Sequence, residues 1–224
     1  MPDIISIDPL DIAPSSIEKA VTILKAGGIV AFPTETFYGL AADAMNEKAV
    51  DRIFEIKGRS FNNPIALIIS KEYDLHLITD NIPEAAKKLM AAFWPGPLTL
   101  VFKASPSVSP RLTAGTGKIG VRISSNPIAH SLAAGLGRPI TATSANLSGA
   151  RECTTAAAVK DQITSDLITI IDGGATPGGR GSTFCDITSN PPAILREGMI
   201  PEALIKSFNQ LPGSKLRGIL TVKI

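Results

Sequence analysis

Two stretches of this sequence concentrate side chains that can hold and orient an anion. The first is P-T-E-T-F-Y-G, Pro33 to Gly39, which puts Thr34, Glu35, Thr36 and Tyr38 just beyond the apolar run Ile29 to Phe32. Proline cannot continue a central ladder, so Pro33 ends that strand and the polar cluster falls in the loop that follows. The second is S-A-N-L-S-G, Ser144 to Gly149, again at the end of a short strand pattern, Ile140 to Thr143. Strand ends that feed polar loops are where open α/β sheets bind their ligands. Between them, Ala49-Val50, Ile53-Phe54 and Ile56 recur at helical spacing from Glu47. That helix delivers Lys57 and Arg59 at its C-terminal end, on either side of Gly58. Two cations there answer the helix dipole and cap the last carbonyls without any ligand; they suit an anion equally well, and position alone leaves both readings open.

Proton-transfer groups are scarce. His76 and His130 are the chain's two histidines, both outside the polar clusters, so a Ser-His-Asp arrangement is not expected. Glu35 reads either as a general base or as a structural hydrogen-bonding group. Cys153 and Cys185 lack C-x-x-C spacing and read as reduced packing thiols.

The elements that must position these groups alternate between strand and helix. Strands are expected at Ile4 to Ile7, Ile65 to Ile69, Leu98 to Phe102, Ile119 to Ile123, Leu167 to Ile171, Ser182 to Ile187 and Ala193 to Arg196. Helices are expected from a Ser15 to Glu18 capping box, from Pro83 to Phe93, over Pro127 to Leu136 and Thr155 to Ile163, and over Pro201 to Phe208. Trp94-Pro95-Gly96-Pro97 reads as a structural corner, and Ala104 to Thr113, rich in Ser and Pro, as a loop near the site. The class is α/β or mixed α+β, with helices against a twisted sheet.

Two glycine patterns are decoys. Gly115 to Gly120 satisfies G-x-G-x-x-G, but it precedes a strand instead of a helix and lacks the acidic residue about 20 positions on; it reads as a turn. Gly174 to Gly179 has P-loop spacing but continues Arg180-Gly181 instead of Lys-Ser/Thr, and reads as a flexible loop.

The 224 residues suffice for one substantial core, and 44% hydrophobic with 19% charged residues is an ordinary globular composition. A formal net charge of +2 neither demands nor excludes nucleic acid. No apolar run approaches the roughly 18 residues needed to cross a bilayer, and the acidic N-terminus is no signal peptide, so a cytoplasmic protein is expected.

P-T-E-T-F-Y-G-L-A-A-D-A followed by K-G-R-S-F-N-N-P-I resembles the signature of the YrdC/TsaC family, the threonylcarbamoyl-AMP synthases of tRNA modification. Further segments resemble it in the same order: F-W-P-G-P-L-T-L from Phe93, Val121-Arg122, T-A-T-S-A-N-L-S-G from Thr141, G-S-T-F-C-D from Gly181 and I-L-R-E-G from Ile194. The resemblance implies a YrdC/RibB-like domain over residues 1–211, a twisted mixed β-sheet flanked by helices with a concave ligand-binding surface, then a short tail at 212–224. It implies condensation of L-threonine, bicarbonate and ATP to threonylcarbamoyl-adenylate and pyrophosphate. Lys57 and Arg59 would be catalytic on the triphosphate, with Ser144, Asn146 and Arg196 also on ATP; Thr34, Arg122, Thr143 and Ser182 would contact threonine and carbamate. Mg2+ is expected as counter-charge, without a dedicated metal cluster. Implied partners are a downstream tRNA threonylcarbamoyl transferase complex and tRNA or double-stranded RNA.

The chain departs from the family pattern where some members carry histidine: Asn63, Ile68 and the Ser124-Ser125-Asn126-Pro127 segment stand instead. Two alternatives share the resemblance, a YciO-type paralogue of different specificity and a module that binds RNA or nucleotide without turnover. A carbamoyl-transfer domain of the hydrogenase-maturation type normally sits in a far longer chain.

Overall fold

The computed structural model describes residues 2–210. In chain order its strands are Asp3–Ser6 (β1), Ile29–Phe32 (β2), Gly39–Ala41 (β3), Leu67–Ile68 (β4), Leu98–Lys103 (β5), Lys118–Arg122 (β6), Ile140–Thr141 (β7), Thr143–Ser144 (β8), Ile168–Asp172 (β9), Thr183–Asp186 (β10) and Ala193–Arg196 (β11). The α-helices are Pro14–Lys25 (α1), Glu47–Lys57 (α2), Glu84–Phe93 (α3), Pro110–Thr113 (α4), Pro127–Leu136 (α5), Ala156–Gln162 (α6) and Glu202–Gln210 (α7). The class is mixed α/β, as the alternation predicts. Its strands separate into two mixed sheets in place of a single one, in the orders β1-β9-β2-β3-β8 and β11-β10-β5-β6-β4-β7.

The sequence of β2 shows why the sheet is buried on both sides. Ile29 and Ala31 enter one hydrophobic cluster with α2, α3, α6 and the β5–β6 strands, while Val30 and Phe32 enter a second beneath α1 and α5. Successive strand residues face opposite sides, so a strand covered on both must be apolar throughout, and all four residues of β2 are fully buried.

The local endings of α2 and α5 follow from their sequences. Asn46 and Asn126 cap them, accepting from Ala49 N and from Ile128 and Ala129 N, and Gly58 and Gly137 close them in the left-handed conformation. The capping box expected at Ser15 is absent. Pro14 at the first helical position starts α1 earlier, Ala13 becomes the cap residue, and Ser15 lies inside the helix.

Other boundaries shift for tertiary reasons. Of the expected strand Ile65 to Ile69 only Leu67–Ile68 has ladder partners on both sides, parallel to β6 and antiparallel to β7. A single strand expected at Ile140 to Thr143 breaks at Ala142. Ile140 and Thr141 pair with β4 in one sheet, and Thr143 and Ser144 pair with Leu40 and Gly39 in the other. The Ala142 amide binds the Ala66 carbonyl at 2.7 Å as the chain crosses between the sheets. Within the expected loop Ala104 to Thr113, residues Pro110–Thr113 form one helical turn capped by Ser109. The G-x-G-x-x-G segment is a turn, with φ of +72° at Gly115 and +67° at Gly117. Trp94 holds its corner by donating Nε1–H to the Leu98 carbonyl at 2.7 Å. The tail at 212–224 lies outside the described residues.

Candidate anion-binding cleft

A cleft of about 150 Å³ opens where the two sheets meet. The loop after β2 supplies Thr34 and Thr36, the residue beyond α2 supplies Arg59, the end of β6 supplies Arg122, β8 supplies Thr143 and Ser144, and the β10–β11 pair supplies Ser182 and Arg196. The break at Ala142 thus puts Thr143 and Ser144 at the crossing between sheets, where both line the cleft.

Several of these groups are held by hydrogen bonds. Thr34 Oγ1 donates to the Phe37 carbonyl at 2.7 Å, accepts from the Thr36 amide at 3.1 Å and lies 3.0 Å from Thr36 Oγ1. Arg59 donates to Thr143 Oγ1 and to the Pro64 carbonyl, both at 2.9 Å. Ser182 Oγ shares a hydrogen bond of 2.9 Å with Thr99 Oγ1. Arg196 donates to the Ser182 carbonyl at 3.0 Å, and its guanidinium lies 4.5 Å from the Phe184 ring centroid. Gly198 backs this wall: a Cβ there would run into the Gly181 carbonyl oxygen and the Ser182 backbone.

Burial lowers the pKa of Arg59, and burial with the charge of Arg122 lowers that of Arg196, yet arginine stays protonated at any ordinary pH. Three guanidinium groups around one partly dehydrated cleft attract anions strongly. Tyr38 is ill suited to give up a proton near neutral pH. Burial, then the charge of Asp172, pushes its hydroxyl up to about 12, and it donates to the Gly174 carbonyl at 2.7 Å.

Seven of the nine residues expected from the sequence line the cleft; Lys57 and Asn146 do not. Lys57 is 3% exposed, and its ammonium donates to the Ser144 carbonyl, to the Asn146 carbonyl at 2.7 Å and to Asn146 Oδ1 at 3.3 Å. Asn146 Nδ2 in turn donates to the Ala150 carbonyl at 2.6 Å. Both side chains shape the Ser144–Gly149 loop from behind. Burial, then the charge of Arg59, lowers the Lys57 pKa to about 8, against smaller opposing effects of Cys153 and Glu152.

Sequence reasoning missed Glu152 and Phe184, which also line the cleft. Phe184 was accessible to it, since it lies two residues from Ser182 and so on the same face. Glu152 sits in an irregular segment that no periodicity marks. It is the one carboxylate among the lining residues, and among the described residues no three His, Cys, Asp or Glu side chains group as a metal site.

Two mixed sheets enclosing an arginine- and hydroxyl-lined cleft define an α/β domain whose cleft carries the charge to suit an anion. More particularly, the chain belongs to the Sua5/YciO/YrdC family, whose model, described as "Telomere recombination", matches residues 22–198. The threonylcarbamoyl-AMP synthase of Pyrococcus abyssi is 44% identical over 185 residues, covering 83% of this chain and 54% of its own length. That of Bacillus subtilis is 40% identical over 201 residues, covering 89% of this chain and 58% of its own length. The chain therefore spans about half the length of these curated relatives. The crystal structure of P. abyssi Sua5 complexed with L-threonine superposes with a TM-score of 0.88 at 41% identity, covering 92% of this chain and 60% of that one. No helix among the described residues is long and apolar enough to cross a membrane.

Proposed function

We propose that this chain, as a single domain over residues 1–211, condenses L-threonine, bicarbonate and ATP into threonylcarbamoyl-adenylate and pyrophosphate in the cytoplasm. The observation that carries this reading is the convergence of Arg59, Arg122 and Arg196 on one cleft with Thr34, Thr143, Ser144 and Ser182 between them. Such a site has charge to offer and little acid–base capacity, which suits nucleotidyl transfer, a reaction driven mainly by positioning and charge stabilisation. The likeness to a Sua5 structure complexed with L-threonine supports the choice of amino acid.

In this reading the threonine amine and bicarbonate form a carbamate with loss of water. A carbamate oxygen attacks the α-phosphorus, the α–β P–O bond breaks, and pyrophosphate leaves with the electron pair. Arg122 takes the threonine carboxylate through its planar fork. Thr34, Thr143 and Ser182 hold the amino acid and carbamate, and Arg59 and Arg196 meet the phosphates, with Ser144 on the nucleotide. The enclosed volume is small beside the roughly 300–1,000 Å³ of pockets that bury larger ligands, so the amino acid sits inside and the nucleotide extends along the mouth. Lys57 and Asn146 act through the loop they build; direct contact of Lys57 with phosphate requires it to exchange its present acceptors.

Mg2+ fits this site as a phosphate-bound ion. Glu152 is the lining carboxylate available to it, and Mg2+ commonly keeps water and phosphate as its other ligands. When bound it neutralises triphosphate charge. The product is a mixed anhydride, an activated form fit for a downstream transferase; in this reading that transferase is directed to tRNA, with tRNA or double-stranded RNA as a further partner.

The test is pyrophosphate release by the purified chain, with L-threonine and bicarbonate supplied together or singly and L-serine for comparison. Release that requires both co-substrates is expected. ATP binding with no co-substrate-dependent release would overturn the reading in favour of a nucleotide-binding paralogue.

A further inference from the structure

Glu35 is a largely buried carboxylate in the loop after β2, and it meets Arg122, the last residue of β6, across the gap between the two sheets. Its Oε1 lies 3.3 Å from Arg122 Nε, and its Oε2 accepts from Ser124 Oγ. The side chains of Arg122 and Glu35 are only 8% and 11% exposed. Ser124 is itself anchored, because its Oγ accepts from the Asn126 amide at 3.2 Å and Asn126 caps α5. The carboxylate is therefore fixed from one sheet, by way of a helix terminus, onto the arginine of the other.

The contact is an ion pair at one edge of the guanidinium and not a hydrogen bond, since Glu35 Oε1 and Arg122 Nε are both buried without a hydrogen-bond partner. A guanidinium presents donors along its Nε side and along its terminal fork. Glu35 meets the Nε side. The two terminal nitrogens of Arg122 make no hydrogen bond among the described residues, and they are not among the buried unpaired atoms, as Nε is. Arg122 lines the cleft and Glu35 does not. The ion pair thus holds the Nε edge beside a residue that does not line the cleft, and the terminal fork is the part of Arg122 left for a ligand. Glu35 also offsets charge where Arg122 and Arg196 stand close enough for one to lower the other's pKa.

We propose that Glu35 is a positioning residue that aims the terminal fork of Arg122 into the cleft, and that this aim makes the site select an amino acid bearing a free α-carboxylate. The inference rests on the reading in which Arg122 receives the threonine carboxylate. A brace between sheets would stabilise the protein and affect all ligands alike; an aiming residue changes one contact, that of the carboxylate.

The experiment is calorimetric titration of the purified chain with L-threonine and with L-threoninamide, in wild type, Glu35→Gln and Ser124→Ala, alongside their melting temperatures. Wild type is expected to prefer L-threonine. Glu35→Gln, which keeps the shape and loses the charge, is expected to weaken L-threonine binding roughly tenfold and to leave L-threoninamide within about twofold. Ser124→Ala removes one of the two contacts on Glu35, moves the ratio in the same direction, and serves if Glu35→Gln does not fold. Equal weakening of both ligands, or an unchanged ratio, overturns the proposal. A wild type that binds no L-threonine overturns instead the threonine reading on which it stands.

Discussion

The Lys57 ammonium donates to both the backbone carbonyl and the side-chain oxygen of Asn146, at 2.7 and 3.3 Å, with the Ser144 carbonyl as its third acceptor. The Ser148 amide also binds the Lys57 carbonyl at 3.0 Å. The end of α2 is thereby stitched to the loop that carries Ser144 into the cleft, through a side chain that itself stays out of it.

Replacing Lys57 by methionine keeps most of the unbranched side chain, removes the ammonium and leaves buried acceptors unpaired. The expected loss is on the order of 3 kcal/mol, a fall in Tm of about 6–12 °C for a chain of this size. Asn146→Ala should be strongly non-additive with it, because both act on one network. Thermal melts of the two single variants and the double variant check this; additive shifts would mean that the residues act independently.

The same burial predicts a pH effect of defined sign. With its pKa lowered from 10.5 to about 8, Lys57 is neutral in the folded protein and still protonated in the unfolded chain between those values. The unfolded state then binds the extra proton, so this group makes stability rise with pH across that window, by at most about 1.4 kcal/mol per pH unit. Below about pH 8 both states are protonated and the contribution is flat. Denaturant melts of wild type and Lys57→Met from pH 7 to 10.5 should give a difference with that slope. A difference independent of pH would show that the folded-state pKa is not lowered.

Gly198 supports the cleft from behind, and adding a single methyl group tests it. The atoms in the way are the Gly181 carbonyl and the Ser182 backbone, not the end of a flexible side chain. Gly198→Ala should therefore cost about 1–3 kcal/mol and displace the Gly181–Ser182 wall. The expected outcome is a lowered Tm together with weaker binding of cleft ligands, read by melting and by titration with L-threonine. A variant with wild-type stability would mean that the wall yields without cost.

Much of this fold was legible because local signals agreed with the tertiary answer. α2 and α5 carry asparagine caps, an apolar stripe and a left-handed terminal glycine, and β2 is apolar throughout because both its faces are covered. The crossing at Ala142 was not legible. Strands of two residues have no period to detect, and Ile140 to Thr143 reads as one strand although its halves serve different sheets and the second extends to Ser144. For the site, residue types pointed to the hydroxyls and arginines of the cleft. The burial of Lys57 and the entry of Glu152 depend on how the segment after Asn146 folds back, which spacing does not encode.

Thr143 offers the sharpest test of how the crossing between sheets serves the site. Its Oγ1 accepts from Arg59 Nη1 at 2.9 Å, while Arg59 Nε is buried without a partner. The guanidinium is thus fixed through its two terminal nitrogens, by Thr143 on β8 and by the Pro64 carbonyl. Thr143→Val preserves shape and β-branching and removes the acceptor, so strand pairing with Leu40 should persist. Arg59 then keeps its charge and loses one of two anchors. If Arg59 meets the phosphates, the KM for ATP should rise about fivefold to tenfold, the worth of one charged hydrogen bond. The KM for L-threonine should rise as well, because the Thr143 hydroxyl also holds the amino acid and carbamate in the proposed reaction, and the Tm should fall by only a few degrees. Steady-state pyrophosphate release with each substrate varied in turn separates these effects. A change confined to L-threonine would mean that Thr143 serves the amino acid alone and does not set the aim of Arg59.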